Sequence, residues 1–284
     1  MSLKKVSPIM INQKLNSSGK KNTLTLQFPN TVDFYNKEIA LSYLGIYYSW
    51  RNVSGRYTEN RNDGYDNNRF GYFWTDGNFY DVTLPEGFYT IADINNYLQT
   101  IVMVQNGHYM VDANGKNVYF ISIAPNSVYY TTTVVCNPVV VPVGGTNPNG
   151  LALGNTPQLN IPSSNNFGLL LGFNAGNYPA TSGTTTTFYV NGQSTPNISP
   201  VTTINVNCNL AESQTSSLVH SIYQFSPTVG YSEYINITPP YLIFYDISNG
   251  AYRNITIFFT DQDGKPLDII DGNINVSLLV RDKI

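Results

Sequence analysis

The residues that could do chemistry are few and scattered. The chain has two histidines, His108 and His220, and two cysteines, Cys136 and Cys208. A metal centre of the kind found in small jelly-roll enzymes takes two or three histidines with a carboxylate close by, so it would need both histidines in one place. Each is therefore read as a strand-end or surface histidine. Asp261-Gln262-Asp263-Gly264 begins like a calcium loop but lacks the third acidic position and the distal Glu, and Asp-Gly between two alternating runs is a turn signal. Nothing selects a catalytic pair among the 18 acids, and no G-x-S-x-G elbow, phosphate-binding glycine loop or C-x-x-C motif is present. The sequence thus assigns no catalytic residue, no cofactor-binding residue, no metal ligand and no cofactor, and the chain is read as a non-enzyme. The cysteines are expected to be small buried hydrophobes in a reducing compartment, without a disulfide between them.

Binding chemistry has more material. From Tyr43 to Val82 the chain interleaves Tyr47, Tyr48, Trp50, Tyr57, Tyr65, Phe70, Tyr72, Phe73, Trp74, Phe79 and Tyr80 with Arg51, Arg56, Arg61 and Arg69. Tyr, Trp, Arg, Asn and Gly build protein-binding and sugar-stacking surfaces. The same aromatics can fill a core beneath a long loop with its tip at Asn60 to Asn68, and this is the preferred reading. Glu59, Asp63, Asp66 and Asp76 dilute the positive field that single-stranded nucleic acid would need.

Charged side chains make up only 12% of the chain, against about a quarter in a usual globular domain. They are also unevenly placed. Residues 1–21 carry Lys4, Lys5, Lys14, Lys20 and Lys21 without an acid, giving +5, while the other 263 residues hold 10 bases and 18 acids, giving −8. This marks 1–21 as a basic N-terminal arm that could reach toward nucleic acid or an acidic neighbour, or simply be solvated. No hydrophobic stretch resembling a signal peptide is read in that segment, and no apolar run approaches the roughly 20 residues of a membrane span. Conversely, the 95 residues from Asn117 through Ala211 contain no Asp, Glu, Lys, Arg or His. Nothing there can act as a general acid or base at neutral pH, but such a stretch suits burial against other subunits, whose interface cores are poor in charge, or is simply a charge-poor sequence with ordinary burial. Six N-x-Ser/Thr triplets, at Asn16, Asn52, Asn197, Asn236, Asn254 and Asn275, match the about six expected by chance from so much Asn, Ser and Thr.

The elements that must position these residues are mostly strands. Ile204, Val206, Cys208 and Leu210 alternate with polar residues, as do Ile255, Ile257 and Phe259, and then Ile274, Val276, Leu278 and Val280. The last two runs are read as a final hairpin, Arg253 to Arg281, whose apolar residues face inward together. Further strands are expected at 23–28, 39–48, 79–84, 117–123, 127–135, 218–225 and 234–246. One helix, near 90–104, is capped by Thr90 with Asp93 three residues on, has Ile91, Ile94, Leu98, Ile101 and Val102 on one face, and should cross an end of the sandwich. The fold class expected is all-β, a single jelly-roll antiparallel β-sandwich with one short helix and a loop-rich insertion. Residues 22–284 are read as one domain, with insertions near 49–78 and 136–200.

Three pieces resemble a known family. These are Leu84-Pro85-Glu86-Gly87-Phe88-Tyr89-Thr90 before the helix, Leu170-Leu171-Gly172-Phe173, and Phe259 to Asp268 followed by Asp271-Gly272-Asn273-Ile274. In order and spacing, across some 200 residues, they are similar to the minor capsid, or penton, proteins of virophages and Polinton-type viruses. The resemblance implies a jelly roll, in some relatives with an extra domain, assembled as a homopentamer at icosahedral vertices. Its implied partners are further copies of itself and trimers of a double jelly-roll major capsid protein, with a weak genome contact through the basic arm. The implied location is the capsid vertices of the virion, with assembly in the host cell cytoplasm. Two other classes compete: a jelly-roll carbohydrate-binding or receptor-attachment protein, which would explain the aromatics, and a sandwich hydrolase, which would explain the fold alone.

Overall fold

In the computed structural model, which describes residues 7–14, 22–55, 65–212 and 220–283, the alternating runs are strands. The chain begins with β1 (Ser7–Lys14), β2 (Thr23–Phe34) and β3 (Lys37–Tyr47). Then come β4 (Arg69–Phe73), β5 (Phe79–Thr83) and helix α1 (Ile91–Asn96), which continues as a π-helical stretch over Tyr97–Met103. Short strands β6 (Met110–Val111) and β7 (Asn117–Val118) precede β8 (Ile121–Asn126), β9 (Thr131–Cys136) and β10 (Gln158–Ile161). Helix α2 (Phe167–Leu171), β11 (Gly176–Tyr178) and β12 (Phe188–Asn191) follow. The last stretch holds β13 (Ile204–Cys208), β14 (Ser221–Phe225), β15 (Tyr234–Ile237), β16 (Tyr245–Asp246), β17 (Gly250–Asp261) and β18 (Asn273–Asp282).

These elements form two compact units, one from Met1–Arg51 with Val201–Ile284 and one from Asn52–Pro200. The first has one sheet in the order β1-β18-β3-β15, with β16 also on β3, and a second in the order β14-β13-β17-β2. Every pairing is antiparallel, and the pairs nest: β1 on β18, β2 on β17, β3 on β15, β13 on β14. The chain of this unit is thus one long hairpin rolled into two sheets, the jelly-roll topology. Alternation dictates which face is buried. Val276 lies between Ile11 and Leu44 in one sheet, and Ile257 between Cys208 and Leu24 in the other, all six buried. Burying each such aliphatic side chain contributes about 1.5–3 kcal/mol.

Two expectations are corrected in this unit. The runs 255–259 and 274–280 are buried as expected, yet β17 and β18 are not a hairpin: they belong to different sheets. The Asp-Gly turn does form, with Asp261 N–H bonding the Lys265 carbonyl at 2.9 Å and Gly264 at φ +77°, but Pro266 to Gly272 then carries the chain to the other sheet. The separate arm over 1–21 is also revised, because Ser7–Lys14 pairs along its whole length with β18. Lys4, Lys5, Lys20 and Lys21 lie outside the described residues.

The second unit contains sheets β11-β10-β4-β5 and β12-β9-β8 and the short pair β6-β7. Its own core runs from Val53 to Phe173 and includes Phe70 stacked on Phe167, with ring centroids 4.3 Å apart. Here the single-domain reading of 22–284, with insertions near 49–78 and 136–200, gives way to one inserted unit spanning 52–200. The alternating runs in 79–84 and 117–135 look like those of the jelly roll, but their apolar faces join this other cluster. Thr90 forms the expected capping box with Asp93. The helix packs within this unit on β8, where Gln99 Nε2 donates to the Ile121 carbonyl and Asn95 Oδ1 accepts from Ile123 N–H, each at 2.8 Å, so the apolar face expected to cross an end of the sandwich joins this unit's core instead. There is also a second helix, α2, stopped by Gly172 at φ +77°, where a Cβ would meet the Ser194 carbonyl oxygen at 2.1 Å.

Candidate functional site

The aromatic segment divides between the two cores. Tyr48 and Trp50 stack at 4.3 Å in the jelly-roll unit, and Arg51 pairs there with Asp268 at 3.2 Å. Phe70, Tyr72 and Trp74 are buried in the inserted unit. Five of the ten described rings, Tyr48, Trp50, Phe70, Tyr72 and Trp74, fill cores, the reading preferred from the sequence for the segment. Tyr57, Arg56 and Arg61 fall outside the described residues.

His220 directly precedes β14, a strand-end histidine as expected, whereas His108 is not at the surface. His108 is buried, its ring stacked on Trp74 at 4.1 Å and edge-on to Tyr80 at 4.5 Å, with Nδ1 2.8 Å from the Tyr72 hydroxyl. Asn106 Nδ2 donates to that hydroxyl at 3.0 Å, and the Tyr80 hydroxyl donates to Asp76 at 2.9 Å. Burial lowers the His108 pKa to about 4, with Asp76 pulling weakly the other way, and burial also raises that of Tyr72. At neutral pH His108 is uncharged, and the cluster is a polar clamp that ties β4 and β5 to the residues after the helix. It has little access to a substrate. His220 is partly buried at φ +80° and pairs through Nδ1 with the Ala211 carbonyl at 2.7 Å. Among the described residues, no three of His, Cys, Asp and Glu are grouped to hold a metal ion, and no helix is long and apolar enough to cross a membrane.

The thiols are buried, and burial pushes Cys136 up to about 12 and Cys208 up to about 11. Asp261 Oδ1 accepts from Asp263 N–H and Lys265 N–H, both at 2.9 Å, so this carboxylate is built into the turn.

The feature best suited to function is a surface. Residues 201–211 are mostly buried in the jelly roll through β13, so the charge-free surface belongs to 117–200 in the inserted unit. It displays apolar side chains, foremost at the tip between β8 and β9, where Val128, Tyr129 and Tyr130 are 78%, 67% and 77% exposed. The strand expected over 127–135 begins only at Thr131, because Ser127 to Tyr130 turn. Three large apolar residues in a row break the period-two rule, a signal in the sequence that the strand reading of 127–135 passed over.

Carboxamides hold the tip in place of ion pairs. Asn126 Oδ1 accepts from Tyr129 N–H at 3.3 Å, while its Nδ2 donates to Thr133 Oγ1 at 3.1 Å and Asn191 Oδ1 at 3.2 Å. Thr133 Oγ1 donates to the same Asn191 oxygen at 2.7 Å. Tyr130 holds φ +52°, a left-handed conformation costing about 1–2 kcal/mol for a residue with a Cβ. Tyr189, on β12 of the same sheet, adds a further exposed ring. An uncharged, largely apolar projection of this kind is suited to burial against another surface.

No family profile and no curated protein matches the chain. Among solved structures, it is similar to the mavirus penton protein, at TM-score 0.44 and 10% identity, over 99% of this chain and 100% of that one. It is also similar to a chain in the cryo-EM structure of the Sputnik virophage, at TM-score 0.41 and 11% identity, over 99% of this chain and 98% of that one.

Proposed function

We propose that the protein is a structural, non-catalytic subunit of a virus capsid, acting as a homopentamer at the five-fold vertices among trimers of a double jelly-roll major capsid protein. One observation carries this reading: a rolled jelly roll holds, between β3 and β13, a unit with its own core whose 117–200 surface offers apolar side chains and no charge. A ring of five uses one patch of each subunit against a different patch of the next, and such patches are poor in charge at their centres.

The three sequence pieces that resemble the penton family fall at junctions of the fold. Leu84 to Thr90 leads into α1, Leu170 to Phe173 closes α2, and Phe259 to Asp268 ends β17 and turns. On this reading the inserted unit 52–200 is the counterpart of the extra domain that the resemblance implies for some relatives. A weak genome contact would fall to the lysines of residues 1–21. Assembly in the host cell cytoplasm completes the reading.

The test is location. Density for this chain in a purified particle is expected at the vertices, with residues from 117–200 among the intersubunit contacts. Absence from particles, or a position on the faces, would overturn the reading in favour of a carbohydrate-binding or attachment protein.

A further inference from the structure

The outer face of the sheet β11-β10-β4-β5 carries a site distinct from the apolar tip between β8 and β9. On β4 the alternation turns Phe70 and Tyr72 into the core and leaves Arg69 and Phe73 on the other side with Gly71. The register then sets one row across four strands: Asn177 beside Asn160, Asn160 beside Gly71, Gly71 beside Asp81. Three members of this row are polar and the fourth has no side chain.

Gly71 is there for a reason visible in its surroundings. A Cβ at this position would lie 2.3 Å from Phe79 Cζ and 2.6 Å from Cε2, so the Phe79 ring lies across the glycine. Phe73 supports that ring from 5.0 Å, and Phe79 is still 47% exposed. Beside it is a cavity of about 240 Å³ lined by Asp66, Arg69, Asp81, Asn160 and Asn165 together with Phe79. Asn165 fixes one wall, donating to the Arg69 carbonyl and accepting from Phe167 N–H, each at 2.9 Å.

We infer that this cavity binds a neutral pyranose ring, as the terminal unit of a glycan. The cavity falls below the roughly 300–1,000 Å³ of pockets for drug-sized ligands, which suits a single ring. An exposed aromatic face held flat by a glycine takes the C–H face of a sugar, since those hydrogens carry partial positive charge and the ring face is negative. Around it stand the carboxylates of Asp66 and Asp81, which accept from hydroxyls, and the Arg69 guanidinium, which donates to them; such charge-assisted bonds are the stronger kind. A hydroxyl both donates and accepts, so a polyol uses both signs of charge at once. The site lies wholly in the 52–200 unit and does not depend on the capsid reading.

Saturation-transfer NMR on the full chain, with the methyl pyranosides of glucose, galactose, mannose and N-acetylglucosamine as probes, tests this. Transfer to at least one of the four is expected, with Kd at least tenfold weaker in Phe79→Ala and in Asp81→Asn while Tm holds. Asp81 is exposed, so Asp81→Asn keeps the fold even if Phe79→Ala disturbs the sheet. No transfer to any of the four probes, or transfer undiminished in Asp81→Asn, would overturn the assignment. Vertex location in particles is unaffected by either result, so the two readings fail separately.

Discussion

The side chain of Asn52 clasps the backbone of Tyr89 from both sides: Nδ2 donates to the Tyr89 carbonyl at 2.7 Å and Oδ1 accepts from the Tyr89 N–H at 2.8 Å. The same Nδ2 donates to the Ile198 carbonyl at 2.8 Å, so one carboxamide joins the start, the pre-helix segment and the end of the inserted unit. Asn52 is also the first residue of an N-x-Ser/Thr triplet, and at 1% exposure it is structural. Leaving a buried backbone group unpaired costs about 1–3 kcal/mol, so Asn52→Ala is expected to destabilise this unit by about 2–4 kcal/mol. The two tryptophans allow a clean reading, since Trp50 lies in one unit and Trp74 in the other. Urea unfolding followed by Trp74 fluorescence in a Trp50→Phe background should show the loss. A change below about 0.5 kcal/mol, the range of ordinary surface substitutions, would mean that the clasp is not holding the unit.

His108 makes the inserted unit sensitive to acid. Its folded pKa is about 4 and its ordinary value 6.5, so between these values the unfolded chain binds a proton that the folded chain refuses. The stabilisation is complete above pH 6.5 and is lost as pH falls toward 4, by about 3 kcal/mol in all. Asp76 does not blur this window. Burial pushes its carboxyl up, but bonds from Asn78 and Tyr80 outweigh that and hold it below the usual carboxylate value. Thermal unfolding of the 52–200 unit from pH 7 to 4.5 should therefore show a slope that His108→Gln removes, whatever the variant's stability at pH 7. An unchanged slope in His108→Gln would assign the acid sensitivity to other groups.

In the jelly roll, Ile257→Asp and Val276→Asp place an unpartnered carboxylate in opposite walls of one core. Each should cost about 4 kcal/mol or more, because the charge has no partner there. Equilibrium unfolding followed by Trp50 fluorescence is the check. A wild-type midpoint in either variant would show that its strand is set in the wrong register.

What could be read from the residues was whatever they decide locally. Thr90 and Asp93 make a capping box from a four-residue pattern, and Ile255, Ile257 and Phe259 must share a face because a strand has period two. Which core a face meets is decided at long range. Ile123 and Val134 carry the same pattern as Val206 and Cys208, yet the first pair joins the inserted core and the second the jelly roll. The turn at Asp261 to Gly264 was legible for the same local reason, but β17 finds its partners near residues 24 and 206, far away in sequence. His108 was misplaced because its burial depends on Tyr72, Trp74 and Tyr80, none adjacent to it. The row that ends in Gly71 and Asp81 needs four strands in register before it exists at all.

The apolar tip offers the sharpest test of assembly. Val128, Tyr129 and Tyr130 contribute almost nothing to their own unit's core, so Tyr129→Ser and Tyr129→Glu should each leave stability within about 0.5 kcal/mol of wild type. If the tip enters an intersubunit contact, the two variants must differ there. Serine removes apolar area and weakens the contact, whereas glutamate brings a charge into a site without a basic residue nearby in the sequence, a loss of several kcal/mol when it is desolvated. The proposed ring of five would repeat the contact five times, which turns a modest change per interface into failure to assemble. Co-expression with the major capsid protein, followed by counting copies of this chain per purified particle, should give wild type above Tyr129→Ser and Tyr129→Glu near zero. Full occupancy by Tyr129→Glu would remove the tip from the interface and direct the search to the exposed Tyr241, Leu242 and Ile243 of the jelly-roll unit.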